Sequence, residues 1–213
     1  MCKDGIMLSR RAERNLPPIT VAMTGASGSV YGLRLVECLL EAGRRVDLTF
    51  TLAAESVLEQ ECGLEWREED PELRRTIEEY FSDDDNLRHY SRMDWMAPMA
   101  SGSSVKRPMV VCPCSMGTLA AIAHGLADNL IERAADVAIK EQRPLIVVPR
   151  ETPLSQIHLE NMLKLAQMGV TILPAMPGFY NKPAQVEEMV DFVVARILDR
   201  LGVEHQLVDR WGE

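Results

Sequence analysis

Residues 25–29 read Gly-Ala-Ser-Gly-Ser and follow closely on an apolar, β-rich run that begins at Ile19. Glycines at 25 and 28 let a chain turn sharply from strand into helix, and the free N–H groups of a first helical turn can receive an anion. The same turn also serves plain strand-to-helix packing, so the glycines alone leave both uses open. Ser27 puts a hydroxyl inside the turn. It is not presented as a hydrolase nucleophile: the segment is not G-x-S-x-G, and none of His89, His124, His158 or His205 is placed so as to nominate a base.

Spacing narrows the anion. Gly25, Gly28 and Gly32 form G-x-x-G-x-x-x-G, and the second strand ends in Thr51, where a dinucleotide fold would carry an acid for the ribose 2′-OH. A mononucleotide phosphate, as in a flavodoxin-like FMN site, fits better than NAD. Arg133 and Lys140 are seven apart, two helical turns, and project from roughly one face. Taken alone they read as solvated charge; Arg150 and Arg196 make a phosphate-binding set worth weighing. Trp95 and Trp211 adjoin segments poor in regular pattern and read as core, interface or lid aromatics. Asp83-Asp84-Asp85 is similar to the aspartate-rich motif of magnesium-dependent prenyl-diphosphate enzymes, but it lacks a second acidic pair and reads as a solvated loop.

These groups need a scaffold. Residues 19–23, 46–51, 109–112, 145–148 and 170–173 read as strands; 31–42, 117–127, 132–141, 153–168 and 183–201 read as helices. Strands alternating with helices imply right-handed crossovers and an open, doubly wound, three-layer α/β fold with a parallel sheet, Rossmann-like or flavodoxin-like. In such sheets the ligand crevice lies beyond the carboxyl ends of the strands. The strand exits 25–28, 113–118, 149–152 and 174–180 should therefore open onto one edge. Residues 61–94 are acidic, with weak helical periodicity over 71–81, and read as a surface excursion. Residues 95–108, rich in Gly, Ser and Pro, read as a long mobile loop of the kind that carries function.

Bulk properties agree with a small-molecule site. A chain of 213 residues, 46% hydrophobic, favours one domain, over 19–213, behind a disordered leader at 1–18. A formal charge of −9 argues against nucleic acid or an anionic membrane as partner, and no stretch reaches the ~18 to 20 apolar residues of a membrane span. Five cysteines without disulfide or zinc spacing favour the reducing cytoplasm. Cys112 and Cys114 read as packing residues.

The segments MTGASGSVYGLRL, DWMAPMASGS, VVCPCSMGTLAAIAHGLADNLIERAADVAIKEQRPLIVVPRE, IHLENMLKLAQMGV and LPAMPGFYNKP, in that order, closely resemble the flavin prenyltransferases of the UbiX type. Members of that family were formerly called 3-octaprenyl-4-hydroxybenzoate carboxy-lyases. The resemblance implies transfer of a dimethylallyl unit from dimethylallyl monophosphate to N5 and C6 of reduced FMN, without a metal. The product is the prenylated FMN used by UbiD-type decarboxylases in ubiquinone synthesis or aromatic degradation. It also implies a homododecamer with the active site between subunits.

By the same resemblance Gly25, Ala26, Ser27, Thr51, Ser115, Met116, Gly117, Thr118 and Arg150 match FMN-binding positions. Arg133, Lys140, Tyr180 and Arg196 match the surroundings of the dimethylallyl phosphate, with Trp95 beside them. Glu61 and Glu151 match acid–base carboxylates and Trp211 a closing aromatic, while Ser27 relays a proton toward Glu61. Leu52 stands where relatives often carry lysine. Two other readings remain: a flavin-dependent cysteine decarboxylase of the same fold, and a non-catalytic flavin carrier. The missing P-A-S-A-N-T-like segment speaks against the first, and the leaving-group residues speak against the second.

Overall fold

A computed structural model describes residues 16–83 and 85–209. Most of the expected leader, and Trp211, lie outside the described residues. Six strands, β1 (Ile19–Met23), β2 (Val46–Phe50), β3 (Leu87–His89), β4 (Met109–Cys114), β5 (Leu145–Pro149) and β6 (Thr171–Ile172), pair in parallel in the order β3-β2-β1-β4-β5-β6. The five expected strands alone would run 2-1-3-4-5, the flavodoxin-like order; β3 extends the β2 edge and gives 3-2-1-4-5-6. Either way the order reverses at β1 and β4, the point at which such sheets bind their ligands. β1, β2, β4 and β5 are buried along their whole length, because both faces of a parallel sheet are covered by helices.

Period-two alternation divides the core in two. Val21, Met23, Leu48, Val110, Cys112 and Ile146 face a layer built by α1 (Ser29–Glu41), α2 (Leu52–Cys62), α3 (Leu73–Phe81) and α7 (Val186–Leu201). Ala22, Met109, Val111, Leu145 and Val147 face α4 (Met116–Ala123), α5 (Leu130–Lys140) and α6 (Gln156–Gln167). Helix starts follow local chemistry: Thr51, Ser115, Asn129 and Ser155 each accept an N–H of the first turn they precede. The helix expected over 117–127 stops at Ala123, just before Gly125 at φ 70°.

The acidic segment 61–94 is more than a surface excursion. It completes α2, forms α3 and supplies β3. Trp66 is 1% exposed, against Phe50, Tyr80 and Phe81. Its charge stays outside through i,i+4 pairs, Arg74–Glu78 and Arg75–Glu79, while Leu73 and Ile77 turn inward.

The segment 95–108 is likewise built into the fold. A 3₁₀ turn at Pro98–Ala100 buries Met99 and Ala100. The Arg143 guanidinium donates to the carbonyls of Gly102 (2.6 Å) and Ser104 (3.1 Å). Among the described residues no helix is long and apolar enough to cross a membrane.

Candidate active site

The turn after β1 enters α1 through Gly28, whose φ of 105° suits a residue without a side chain. Gly25 permits a close approach, since a Cβ there would stand 2.4 Å from the Ala53 Cβ of α2. Ala53 lies at the start of α2, and the last turn of the same helix reaches the first turn of α1 through Glu61. The Glu61 carboxylate accepts the N–H groups of Gly28 (2.9 Å) and Ser29 (2.9 Å), which sets it over the turn that carries Ser27. The anion received at this helix N-terminus is thus the protein's own carboxylate. Partial burial pushes the Glu61 carboxyl upward, but the hydrogen bonds from Ser27, Gly28 and Ser29 and the charge of Arg150 outweigh it and hold the group below its ordinary value. The Arg150 Nε donates to the Ser27 carbonyl at 3.1 Å, tying the β5 exit to the same turn.

A second helix start lies on the same edge, at α4. Ser115 accepts the Thr118 N–H at 3.3 Å and donates its hydroxyl to the Thr118 hydroxyl at 3.1 Å. Gly117 has open space where a Cβ would project, so this N-terminus is accessible to a ligand phosphate. Thr24, part of the first motif but given no role from sequence, joins the two turns. Its buried hydroxyl donates to the Pro113 carbonyl (2.9 Å) and accepts the Ser115 N–H (2.7 Å). A hydroxyl directly beyond a buried strand was the available signal. Thr51 caps α2 by accepting the Ala54 N–H at 3.2 Å, and its own N–H donates to the Met23 carbonyl at 3.0 Å.

Cys112 and Cys114 are fully buried. Burial pushes the Cys114 thiol up to about 12 and the Cys112 thiol higher still, so neither offers a thiolate near neutral pH. Glu151 follows Arg150 on the edge and accepts the Thr152 N–H at 3.0 Å. Tyr180, in the β6 exit, stacks edge-on against Phe192 at 5.6 Å. Trp95, beyond β3, is 45% exposed. The expected convergence of strand exits is therefore present, with Gly25, Ala26, Ser27, Thr51, Ser115, Met116, Gly117, Thr118, Arg150 and Glu61 around one edge.

The expected phosphate ligands do not gather there. Arg133 donates through Nε to the Ala100 carbonyl (3.0 Å) and through Nη1 to Asp136 (2.7 Å). Lys140 pairs with Glu141 at 2.7 Å and lies 2.8 Å from where a Gly102 Cβ would stand. The two therefore share the α5 face that meets the segment 98–104, as their spacing required. Lys140 ends α5 only five residues before β5 begins at Leu145, so it lies at the amino end of the sheet, away from the Ser27 turn. Arg196 stands on the exposed face of α7, in the opposite layer.

A sheet switch point with two helix starts and a hydroxyl-rich rim is the setting of a nucleotide-binding flavoprotein, and a family model described as Flavoprotein matches residues 7–198. The flavin prenyltransferase UbiX of Pseudomonas aeruginosa is 53% identical over 196 residues, covering 92% of this chain and 94% of that protein. A dodecameric FMN-dependent UbiX-like decarboxylase from Escherichia coli O157:H7 superposes with a TM-score of 0.80 at 42% identity, covering 92% of this chain and all of the other. AnUbiX (PadA1), solved with FMN and dimethylallyl pyrophosphate, has the same TM-score at 38% identity, with 92% and 97% covered. The chain belongs to the UbiX-type flavin prenyltransferases.

Proposed function

We propose that this single domain, 19–213, joins a dimethylallyl group from dimethylallyl monophosphate to N5 and C6 of reduced FMN, making prenylated FMN. The observation that carries this reading is the turn bearing Ser27, whose Gly28 and Ser29 N–H groups are held by the ionised Glu61 carboxylate at the mouth of the sheet edge. FMN would be held by Gly25, Ala26, Ser27, Thr51, Ser115, Met116, Gly117, Thr118 and Arg150. The accessible α4 N-terminus, the open space beside Gly117 and the hydroxyls of Thr51, Ser115 and Thr118 fit a phosphorylated, polar-edged ring system. When bound, reduced FMN supplies the nucleophilic ring positions.

The protein's groups do the rest. Glu61, held ionised, takes a proton that Ser27 passes on, and Glu151 is the second carboxylate at the rim. Arg133, Lys140 and Arg196, with the Tyr180 hydroxyl, stabilise the charge that develops on the departing phosphate. Trp95 and Trp211 offer π faces to an allylic fragment with cationic character. The opposite-layer placement of Arg196 relative to Arg133 and Lys140 supports a homo-oligomeric site that draws these groups from more than one subunit. We assign a dodecamer by analogy with the Escherichia coli neighbour. Delivery of the product to a UbiD-type decarboxylase, and a cytoplasmic location suited to the free thiols of Cys38, Cys62, Cys112 and Cys114, complete the proposal.

The test is anaerobic incubation with reduced FMN and dimethylallyl monophosphate, followed by mass analysis of the extracted flavin. A flavin heavier by one dimethylallyl unit is expected. Recovery of unmodified flavin from protein that has bound FMN would instead indicate a carrier.

A further inference from the structure

The end of α7 carries a chain of contacts that none of the assigned roles uses. The Arg196 Nη1 donates to Asp199 Oδ2 at 2.6 Å. The other oxygen of that carboxylate, Oδ1, lies 3.2 Å from His205 Nε2. On the far side of the ring, the Leu207 N–H donates to His205 Nδ1 at 3.4 Å. A ring nitrogen that accepts carries a lone pair, so the proton sits on Nε2 and is donated to Asp199. Gly202, at φ 68°, ends α7 and turns the chain back so that the imidazole returns against the helix that carries Asp199. The His205 side chain is only 12% exposed, whereas Arg196 is 57% exposed. The same returning segment, through Leu207, lines an open cavity of about 190 Å³ together with Phe192, the residue on which Tyr180 rests.

We propose that His205, acting through Asp199, is a positioning residue for Arg196. This rests on the reading of Arg196 as a ligand of the prenyl phosphate. An arginine on an open helix face samples many rotamers, and ordering it at the moment of binding weakens affinity. Here one guanidinium nitrogen is held on a carboxylate whose own rotamer is fixed by a largely buried imidazole. The remaining guanidinium N–H groups are then presented to an anion in a limited range of directions. The role assigned to His205 is confined to how Arg196 stands.

The test compares His205→Leu with His205→Gln, whose amide nitrogen reaches the position of Nε2. His205→Leu is expected to raise KM for dimethylallyl monophosphate about three- to tenfold, the range set by ordering one long side chain, with kcat and FMN affinity unchanged. His205→Gln should recover most of the loss. In an Arg196→Ala background His205→Leu should add nothing, because the group it positions is gone. Should His205→Leu also lose FMN binding, Asp199→Asn, which keeps the side-chain shape, is expected to show the same selective rise in KM. A wild-type KM in both His205→Leu and Asp199→Asn, or an equal further rise on top of Arg196→Ala, would overturn the inference. A wild-type KM for Arg196→Ala itself would remove the phosphate reading and the positioning role together.

Discussion

Ser27 and Glu61 come from separate segments of the chain, and their roles depend on each other. The carboxylate accepts two backbone N–H groups of the Ser27 turn, and these bonds, with the Ser27 side chain and the charge of Arg150, hold its pKa low despite burial. A depressed carboxylate contributes stability that is fully present above the ordinary carboxylate range and is lost as pH falls through the lowered folded value. The same sign governs activity, since only ionised Glu61 can accept a proton. The acid limb of the single-turnover rate is therefore expected below the usual carboxylate range. Ser27→Ala removes a side chain that favours the anion, so that limb should move to higher pH, with the rate at neutral pH about 10²-fold lower and FMN binding retained. Wild-type rates for Ser27→Ala, or an unmoved acid limb, would take Ser27 out of proton transfer.

Among the elements, α2 matters most, because it carries Thr51 at one end and Glu61 at the other. It is anchored by Arg92, which pairs with buried Glu55 of α2 at 2.8 Å and with Glu68. The Arg92 carbonyl accepts the Leu130 N–H that opens α5, at 2.7 Å. One residue thus ties α2 and the acidic segment through its side chain, and the start of the helix that bears Arg133 and Lys140 through its backbone carbonyl. Arg92→Ala would leave buried Glu55 without its cation and Glu68 with only the backbone N–H of residue 92, at a cost of about 3–5 kcal/mol. Chemical denaturation should show this loss, with FMN affinity falling in parallel as α2 loosens. A loss below about 1 kcal/mol would mean that the triad is solvated in the way a surface pair is.

For the molecule as a whole, the question is how Lys140 and Arg196, in opposite layers of one chain, can serve one phosphate. If a site takes them from different subunits, two inactive variants can complement each other. Lys140→Ala and Arg196→Ala chains, each expected to be nearly inactive alone at dimethylallyl monophosphate concentrations far below their raised KM, should recover roughly a quarter of wild-type activity under those conditions when co-assembled from equal amounts, because random mixing leaves that share of interfaces with both residues intact. No recovery in mixed oligomers shown to contain both variants would mean that each site uses both residues from one chain.

Much of this was legible in the sequence. Buried parallel strands read as unbroken apolar runs, so β1, β2, β4 and β5 and the shared edge at their ends followed from pattern and topology alone. The glycines of the first turn announced a tight entry into α1, and long motifs in order pointed to the family. The tertiary structure decided the rest, because periodicity is local and cannot say which distant groups meet. It made α2 a helix although only Ala54, Glu55 and Leu58 of it are buried, too few for a readable stripe. It drew Trp66 and β3 out of an acidic stretch into the core, and gave Thr24 the link between two turns. It also placed the cationic residues on separate layers, which α5 and α7, each correctly anticipated as a helix, could not reveal until their packing against the sheet was known.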